Sequence, residues 1–491
     1  MRVILAGYNV DLDALKEYKE RDVLLTPESL SAAYARISRS PKSIDVLREN
    51  ARHEVTKARA SNRKIIFEMG HHSVAEHAIF NFDILGISRR AVEEFEKFRL
   101  CSYTEKSQRY VTLKGDYVVP KELQGRVLRG EFRKIIRLQN GFYKLLFERI
   151  RAHNFAAYPG LTKDNQDRRL LENLAKEDAR YILSLATQTQ VGATINARSL
   201  ELMIRRFASH HLAEIRELGR KLFASVKKIS PSIILFYEAN DYDRKTYKEL
   251  YEHTARMEAY TKKGRKREVR LVDHTEDGDN RILAALLFRV RGGDYATCLQ
   301  TVRKMSERKK LEFFKKACSR VELYDVLLRE FEFSDLSFSL IVSSGCFGQL
   351  KRHRMASIVW HRYDPNLGIT MPQSVKAVGE EKGFHEIVHE TEQFYYRIEK
   401  ALPGIGDYIL TNAHRRRVLM RVNLRELYHI SRLREDPTAQ WDIRNIAQKM
   451  SVLAKKVFPI TTMLLGGKSD YPEIYRRLYG RYPRVREVPV P

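Results

Sequence analysis

The chain has 491 residues and carries 89 Lys and Arg against 62 Asp and Glu, which gives a formal net charge of +27 at pH 7. This length exceeds a single ordinary hydrophobic core and suits two domains of about 200 to 250 residues each. The excess of basic residues favours anionic partners, whether nucleotides, polyglutamylated cofactors or nucleic acid.

Several protein classes are excluded by simple patterns. No stretch approaches the roughly 18 unbroken apolar residues of a membrane span, and MRVILAGYNVDLD turns acidic before a signal-peptide pattern develops. We therefore predict a cytoplasmic protein with no membrane partner. The cysteines lie far apart and frame neither a disulfide scaffold nor a zinc ribbon, so we expect them to be reduced and structural. They are Cys101, Cys298, Cys318 and Cys346.

The predicted elements are mostly long amphipathic helices, with fewer strands. A short strand opens the chain in VILAGYNVD, and a second one in VRLVDH follows a basic linker predicted at Tyr251 to Arg270. Apolar residues at every third or fourth position predict the helices, and alternation predicts the strands. The helices are Ile44 to Phe67, Leu170 to Ala186 and Phe384 to Ala401, and the strands are Ala78 to Ile87 and Leu336 to Ser344. The class is a helix-rich α/β fold with a small sheet.

The same landmarks occur twice in the same order, which indicates a tandem repeat with copies at 1–255 and 268–491. The first copy contains GHHSVAEHAIF (70–80), KFRLCSYTEKSQRY (97–110), DARYIL (178–183) and INARSL (195–200). The second contains FEF (331–333), RHRMASIVWHRY (352–363), GDYIL (406–410) and VNLREL (422–427).

Two basic or polar motifs suit an anionic ligand. Arg352, His353 and Arg354 are successive donors that fit a phosphate, a pyrophosphate or an electron-rich ring, although a solvated basic turn would have the same sequence. Glu105, Ser107 and Arg109 alternate, so an extended segment would point an acceptor, a hydroxyl and a cation at one ligand. A polar loop is the alternative.

Two histidine-rich motifs suggest metal sites, but simpler readings exist. In GHHSVAEH, Ser73 and Glu76 have the spacing of a capping box, and His77 then faces a ligand or the core. HEIVH (385–389) matches a zinc-protease pattern but lies in a strongly charged helix, which favours a solvated helix face. We predict no metal site.

The last motifs are helices with polar faces. On a helix from Val422 onward, Arg425 and His429 share a face, Asn423 lies near the start and Arg434 near the end. The INARSL helix (195–200 onward) has the matching Asn196, Arg198 and Arg206. Each helix alone could be merely amphipathic.

Taken in order, these pieces resemble the flavin-dependent thymidylate synthase (thymidylate synthase complementing protein) family. Its signature is RHR, a small pair ending in Ser and an N-E-x-S-x-R-Y-like segment, preceded by GH-x-S-x-x-EH and followed by an N-x-R-x-L helix. The resemblance implies FAD as cofactor, subunit-contact active sites and conversion of dUMP to dTMP with methylenetetrahydrofolate and NADPH. No protein nucleophile is implied, so the residues position and stabilise.

Each copy departs from the signature in a different place. The first copy has Lys97-Phe98-Arg99 at the RHR position but keeps His77, Glu105, Ser107, Arg109 and Arg180. The second keeps Arg352 to Arg354, Asn423, Arg425, Arg434 and Gln440. It has Phe333 near the family histidine, a shortened SIVWHRY segment and Asp407 at the position of Arg180. An aspartate there would repel a phosphate.

The complementary losses suggest composite sites in a homodimer that acts as a pseudo-tetramer. The resemblance implies that Arg352, His353, Arg354, Asn423, Arg425 and His429 hold FAD, and that Glu105, Ser107, Arg109, Arg180 and Arg206 bind dUMP. It places His77 near the flavin or folate and Arg434 at the uracil ring as the catalytic residues. The rival hypotheses are a non-catalytic nucleotide- or RNA-binding descendant and a flavin enzyme that alkylates another pyrimidine.

Overall fold

The computed structural model describes residues 1–18, 24–255, 257 and 267–485. Close packing divides the chain into two compact units, Met1–Lys262 with Pro372–Thr411 and Lys263–Met371 with Asn412–Pro491. The repeats predicted at 1–255 and 268–491 are a division of the sequence, whereas packing assigns residues 372–411 to the first unit. Each unit is described by itself below.

Within the described residues, each half of the sequence forms a four-stranded antiparallel sheet. The first sheet has the order β1-β2-β4-β3 and the second has the order β5-β6-β8-β7. The strands are β1 (Arg2–Tyr8), β2 (Ile79–Ser88), β3 (Cys101–Glu105), β4 (Gln188–Asn196), β5 (Val269–His274), β6 (Asp335–Ser343), β7 (Ser357–Tyr363) and β8 (Arg415–Asn423). Because the order is identical, the repeat in sequence is a repeat of fold, and the predicted strands are confirmed.

Helices surround both sheets, as the α/β class predicted. The first ten are α1 (Leu12–Glu17), α2 (Glu28–Arg36), α3 (Ile44–His53), α4 (Val55–Arg63), α5 (Arg89–Phe95), α6 (Leu128–Ala157), α7 (Asn165–Ala179), α8 (Ala197–Ala208), α9 (Ala213–Val226) and α10 (Asp241–Thr254). The others are α11 (Gly278–Arg291), α12 (Tyr295–Arg303), α13 (Glu307–Cys318), α14 (Ser344–Leu350), α15 (Gln373–Ala377), α16 (Glu381–Ala401), α17 (Leu424–Arg434), α18 (Trp441–Val457) and α19 (Tyr471–Tyr479). Short 3₁₀ segments cover His72–His77, Arg180–Ile182, Arg329–Phe333 and Gly406–Tyr408.

Two predicted helices are shorter than their apolar patterns suggest. The helix predicted from residue 44 to 67 breaks at Glu54, whose φ of −114° and ψ of 54° are not helical, and continues as α4 and a π-helical turn, Lys64–Glu68. The helix predicted from 170 to 186 ends at Ala179. Beyond its 3₁₀ turn, the backbone N–H of Leu185 donates to Leu410 O at 2.8 Å, so tertiary pairing replaces the helical bonds.

The predicted linker is only partly described. Tyr251 lies in α10, which runs to Thr254, and β5 begins at Val269. Residues 256 and 258–266, which include most of TKKGRKR, lie outside the described residues. The helix predicted from 384 to 401 is confirmed as α16.

The segment 372–411 joins the first unit through α16, which packs on α6. The buried Gln139 of α6 donates to Thr391 Oγ1 at 2.9 Å and to Ile409 O at 3.0 Å. Phe142 and Phe384 meet with ring centroids 6.5 Å apart. A buried amide that satisfies a side chain and a backbone carbonyl fixes the register of this contact.

The second unit packs α11, α13, α14, α17 and α18 around β5 to β8. Its core includes Phe331, whose ring lies 6.4 Å from Phe314 and 6.1 Å from Tyr428. Aromatic contacts of this kind anchor the 3₁₀ segment before β6 against α17. The segment that precedes the sheet is thereby tied to the helix that follows it.

Candidate active site

In both repeats, a short helix with a serine N-cap connects the second strand of the sheet to the basic segment that follows. Ser88 caps α5, and its hydroxyl donates to Glu214 Oε2 at 2.6 Å. Ser343 caps α14, and its hydroxyl donates to Asp442 Oδ2 at 2.5 Å. A capping serine held by a carboxylate from a later helix fixes where each short helix begins. The segment that follows, Lys97 to Arg99 or Arg352 to Arg354, therefore starts from equivalent positions.

His353 is the buried centre of the second repeat's RHR segment. Arg352 and Arg354 are exposed on either side of it, while His353 itself is 3% exposed. Its Nε2 accepts from Arg434 Nε at 3.0 Å, and its Nδ1 lies 3.4 Å from Glu426 Oε1. The imidazole thus links the last residue of α17 to a residue of its first turn.

The electrostatics of His353 favour a neutral ring. Burial lowers the pKa of His353, and the charge of Arg434 lowers it further, whereas the hydrogen bond that His353 donates to Glu426 raises it. A neutral imidazole with its proton on Nδ1 donates to Glu426 and accepts from Arg434, which matches both contacts. His429 completes the group with an edge-on ring contact at 5.9 Å. His353 therefore positions the Arg434 guanidinium.

The first repeat replaces this polar group with aromatic packing. Phe98 stands at the position of His353, and its ring lies 5.8 Å from that of Phe207. Phe207 and Arg434 each lie eleven residues beyond the cap asparagine of their helix, Asn196 and Asn423. The counterpart of Arg434 is consequently Phe207 and not the neighbouring Arg206.

Arg206 has a different set of contacts from the one predicted for a substrate arginine. Its Nη1 lies 2.8 Å from Asp243 Oδ1, and its guanidinium lies over the ring of Tyr242 at 5.2 Å. Both partners belong to α10 and line, with Lys97 and Phe98, a cavity of about 670 Å³. In the first repeat, Arg206 therefore already has Asp243 as its anionic partner at the cavity that Lys97 and Phe98 line.

The predicted nucleotide residues of the first repeat meet in a cluster of charges. Glu105, the last residue of β3, pairs with Arg89 at 2.5 Å. Arg109 pairs with Glu177 of α7, and Arg180 Nε donates to the carbonyl oxygen of Glu177 at 3.2 Å. The fold therefore brings Arg180 to Glu105 and Arg109, from which it is distant in sequence, and adds Arg89 and Glu177 to them.

Arg180 is the buried arginine that lies close to Arg89 and Arg109 in this cluster. It is 5% exposed, and burial lowers its pKa, with Arg89 and Arg109 adding to the effect against Tyr181 and Glu177. Burial disfavours the charged guanidinium by desolvation, and Arg89 and Arg109 disfavour it by like-charge repulsion. A phosphate brought to this cluster would relieve both effects.

The alternating geometry predicted for Glu105, Ser107 and Arg109 is wrong. β3 ends at Glu105, and Ser107 Oγ accepts from the backbone N–H of Arg109 at 3.1 Å. A serine that bonds the backbone two residues on forms a turn, because this local bond competes with strand pairing. Arg109 reaches the cluster through that turn.

Asp407 occupies the position of Arg180 in the second repeat, within the matching 3₁₀ segment. It is fully buried in the first unit and accepts from Arg90 Nε at 3.2 Å. The next residue, Tyr408, donates to Glu214 Oε2 at 2.7 Å. The carboxylate that the sequence predicted to repel a phosphate therefore forms a buried ion pair with Arg90 of the first repeat.

His77 ends the first 3₁₀ segment and is exposed. Its ring meets Tyr34 of α2 edge-on at 4.7 Å. The capping box predicted at Ser73 and Glu76 is wrong, because the segment starts at His72 after His71 and has no side-chain cap. Glu76 instead pairs with Arg198 at 2.6 Å.

The Glu76–Arg198 pair has a counterpart in the second repeat. Glu332 Oε1 lies 2.7 Å from Arg425 Nη1, and Arg425 Nε also donates to Leu327 O at 2.6 Å. Phe333, at the position of His77, is 57% exposed. Since both repeats keep this pair and only one keeps the histidine, we assign the contacts of Arg425 to the fold.

Two other retained polar residues are helix caps. Asn423 accepts from the backbone N–H of Glu426 at 2.9 Å, as Asn196 does from Ser199 at 2.9 Å. Gln440 is buried and accepts from the first backbone N–H groups of α18. Cap residues satisfy donors that a helix cannot satisfy internally, which explains the place of the two asparagines in both repeats.

The structure also identifies site residues that the motifs did not predict. Glu426 and Glu177 hold His353 and Arg109, and Asp243 holds Arg206. Buried or capping carboxylates leave no periodic signal, and their partners are far away in sequence. The one available signal was position, because Glu426 follows Asn423 by three residues as an N3 acid does.

Other candidate groups are not assembled into sites. The two histidines of HEIVH, His385 and His389, are exposed on α16, and no described residues form a His, Cys, Asp or Glu cluster able to hold a metal. The four cysteines are buried. Across the described part of the chain, no helix has the length and apolar character that crossing a membrane requires.

Comparison with known proteins matches this duplicated α/β fold to a family. The family model of the thymidylate synthase complementing protein matches residues 22–232 and 270–460. A UPF0159 protein of Chlamydia muridarum is 25% identical over 415 residues, covering 81% of this chain and 78% of that protein. A flavin-dependent thymidylate synthase of Geobacter sulfurreducens is 34% identical over 208 residues, covering 42% of this chain and 80% of that protein.

Among solved structures, the flavin-dependent thymidylate synthase of Helicobacter pylori, complexed with FAD and dUMP, is similar at 20% identity and a TM-score of 0.29, covering 48% of this chain and 100% of that chain. The two repeats with their paired signatures define a tandem form of one enzyme family. The chain belongs to the flavin-dependent thymidylate synthase, or thymidylate synthase complementing protein, family.

Proposed function

We propose that this protein is a flavin-dependent thymidylate synthase that converts dUMP to dTMP with methylenetetrahydrofolate and NADPH. The observation that carries the proposal is the complementary retention of two groups. The first repeat keeps the Glu105, Arg109 and Arg180 cluster, and the second keeps His353 with Arg434. The corresponding positions, Asp407 and Phe98 with Phe207, are closed by internal partners.

The residues present fit the expected ligands. Exposed Arg352 and Arg354 supply paired donors for a diphosphate such as that of FAD, and buried His353 fixes the backbone between them. FAD, when bound, supplies the electron and one-carbon transfer chemistry. Ser107, Arg109 and Arg180 would hold the dUMP phosphate, and the Arg434 guanidinium, oriented by His353, would bind the uracil oxygens.

The catalytic contribution of the chain is positioning and electrostatics. A guanidinium held by a neutral imidazole is pre-oriented, so it need not reorganise as charge develops on the pyrimidine ring. His77, exposed beside Tyr34, would face the folate. We retain a cytoplasmic location and a homodimer with pseudo-tetrameric sites as parts of the proposal.

The deciding experiment is tritium release from C5-labelled dUMP with methylenetetrahydrofolate and NADPH. We expect release under reducing, anaerobic conditions, and its absence would reject the assignment. A purified protein without flavin would instead support a nucleotide- or RNA-binding descendant. Bound flavin that dUMP does not turn over would favour alkylation of another pyrimidine.

Sharing of one site between chains is tested by mixing variants. Arg109→Ala and Arg352→Ala remove one group from each half of the proposed site, so each variant alone should be inactive. If a site takes its halves from two chains, re-associated mixtures recover about a quarter of the wild-type activity, because half of the dimers are mixed and each has one intact site. Activity of either variant alone would contradict a shared site.

A further inference from the structure

A basic groove lies between α2, α3, α4 and the π-helical turn of the first unit. Its volume is about 730 Å³, and its apolar surface comes from Leu47, Ile65 and Met69. Five cationic side chains line it against a single carboxylate. The cations are Arg36, Arg39, Lys42, Lys57 and Lys64, and the carboxylate is Glu54.

The one carboxylate is shared among several cations. Glu54 lies 3.0 Å from Lys57 Nζ, and the hydrogen bond from Lys57 lowers its pKa, with Arg36 and Lys42 contributing through space. Among the described residues, the hydrogen-bond partner of Arg39 Nη1 is the thioether of Met69, at 3.1 Å. A thioether is a weak acceptor and brings no negative charge, so the groove keeps an excess of positive charge.

The groove and the surroundings of His77 share α2 and the chain before Gly70. Tyr34, whose ring contacts His77, precedes the lining residues Ala35 and Arg36 on α2. At the other edge, Met69 lies immediately before Gly70 and the His72–His77 segment. Two walls of the groove are therefore continuous in sequence with the segment that carries His77 and with the residue that its ring contacts.

We propose that this groove binds the poly-γ-glutamate tail of the folate co-substrate, an inference that rests on the proposed function. Each γ-linked glutamate carries one carboxylate on a short aliphatic chain, which matches basic side chains above an apolar floor. The described lining contains no aromatic ring, the feature on which single-stranded nucleic acids stack. This lining favours the polyglutamate over RNA as the occupant.

The second repeat has lysines of its own on and near the helices that precede β6. There, α19 packs against α13, with Tyr475 Oη donating to Ser319 O at 2.5 Å and Tyr471 Oη donating to Val321 O at 2.6 Å. Exposed lysines remain on and near α13, among them Lys304, Lys309 and Lys316. They supply a control that removes equal charge elsewhere.

The test compares the full-length protein with two triple variants. One is Arg39→Gln, Lys42→Gln and Lys64→Gln, and the control is Lys304→Gln, Lys309→Gln and Lys316→Gln. Fluorescence anisotropy measures binding of fluorescein-labelled penta-γ-glutamate, and kinetics measure KM for mono- and pentaglutamyl methylenetetrahydrofolate. The groove variant loses three exposed ion pairs with the tail. We therefore expect about tenfold weaker binding of the penta-γ-glutamate and about tenfold higher KM for the pentaglutamyl folate.

The monoglutamate KM and kcat should not change in the groove variant, and the control should differ from wild type by less than about twofold. Equal KM for the two tail lengths in wild type, or equal losses for both in the groove variant, would overturn the inference. Loss of oligoribonucleotide binding without loss of penta-γ-glutamate binding would identify a nucleic-acid surface instead. Peptide binding without any dTMP formation would refute the proposed function, and with it the folate co-substrate as the source of the tail, while showing that the groove binds poly-γ-glutamate.

Discussion

The two repeats have the same scaffold but keep different candidate binding residues. Both keep the serine cap held by a carboxylate, the asparagine cap and the Glu–Arg pair next to it, and both sheets have one strand order. They differ where a ligand would bind. His353 and Arg434 in one repeat correspond to Phe98 and Phe207 in the other. What is duplicated is thus the fold, while each proposed binding group is present in one copy.

The lost positions are filled rather than left open. Asp407 pairs with Arg90, Asp243 pairs with Arg206, and Phe98 packs on Phe207. A buried charge or polar group without a partner costs stability, so a binding group released from function is replaced by one that packs or pairs. Each residue that departs from the family signature at these positions therefore has a packing or ion-pair partner that stabilises the fold.

The largest expected effect comes from giving the first repeat the second repeat's residue at the phosphate position. Arg180→Asp should lower kcat/KM for dUMP by about 10²- to 10³-fold, since removal of one positioned donor from a reacting site costs that much. The added carboxylate would also repel the phosphate. Tritium release and a dUMP binding isotherm measure the effect.

Arg206→Ala is the matched control for this change. It also removes one first-repeat arginine, but one that is paired with Asp243 outside the proposed site. Turnover should stay within about twofold of wild type, as expected for a partly exposed ion pair. Arg180→Lys, which keeps the charge, should recover part of the dUMP binding. Equal losses for Arg180→Asp and Arg206→Ala would show that the cluster is not the nucleotide site.

The second prediction converts the polar group of the second repeat into the aromatic one of the first. His353→Phe alone should lower the free energy of unfolding by about 1–3 kcal/mol, because Glu426 and Arg434 lose a buried partner. Combining it with Arg434→Phe and Glu426→Ser recreates Phe98, Phe207 and Ser199, and should recover most of that stability. Activity should remain about 10²-fold low in both variants.

Thermal unfolding and tritium release on the same preparations separate the two effects. If the triple variant regains activity together with stability, His353 and Arg434 serve the fold alone. If His353→Phe lowers neither stability nor activity, the hydrogen-bonded group has no measurable energetic consequence. His353→Gln, which keeps a donor and an acceptor, should retain more activity than His353→Phe.

Much of the scaffold was predictable because repetition and local patterns determine it. Alternating residues predicted β2 and β6, and the cap asparagines with their N-x-R-x-L spacing predicted α8 and α17. The partners of Arg109 and His353 were not predictable. Glu177 and Glu426 are selected by tertiary packing, for which a single sequence has no periodic signal.

Helix boundaries and register caused the remaining errors. The continuous pattern around Glu54 predicted one helix where the chain forms two, since periodicity does not detect a single non-helical residue. Register also explains the prediction of Arg206 as a substrate residue. The basic residue next to Phe207 resembled the expected arginine, and only the alignment of the two caps separates them.

A smaller effect is expected from acid. Burial holds the pKa of His353 below its ordinary value near 6.5, with Glu426, His429 and Arg434 as its charged or titratable neighbours. Below that pH the unfolded chain takes up a proton that the folded chain does not, so stability is complete above it and declines as pH falls, by at most about 1.4 kcal/mol per pH unit. Comparing melting temperatures at about pH 7.5 and about pH 5.5 in wild type and the triple variant isolates this contribution. An identical decline in the two proteins would exclude His353 as its source.

The smallest effect concerns the ion pair that both repeats keep. Arg425→Met removes the contact between Arg425 and Glu332, whose two side chains are respectively 29% and 24% exposed. This change should lower the free energy of unfolding by about 1 kcal/mol or less. Arg198→Met removes the pair with Glu76 in the first repeat and should cost a similar or smaller amount, since that pair is more exposed. Because we assign both pairs to the fold, flavin content after purification should be unchanged in either variant, whereas Arg352→Ala should lose flavin. Flavin loss in Arg425→Met but not in Arg198→Met would return Arg425 to the cofactor site and make even this shared pair a point at which the repeats differ.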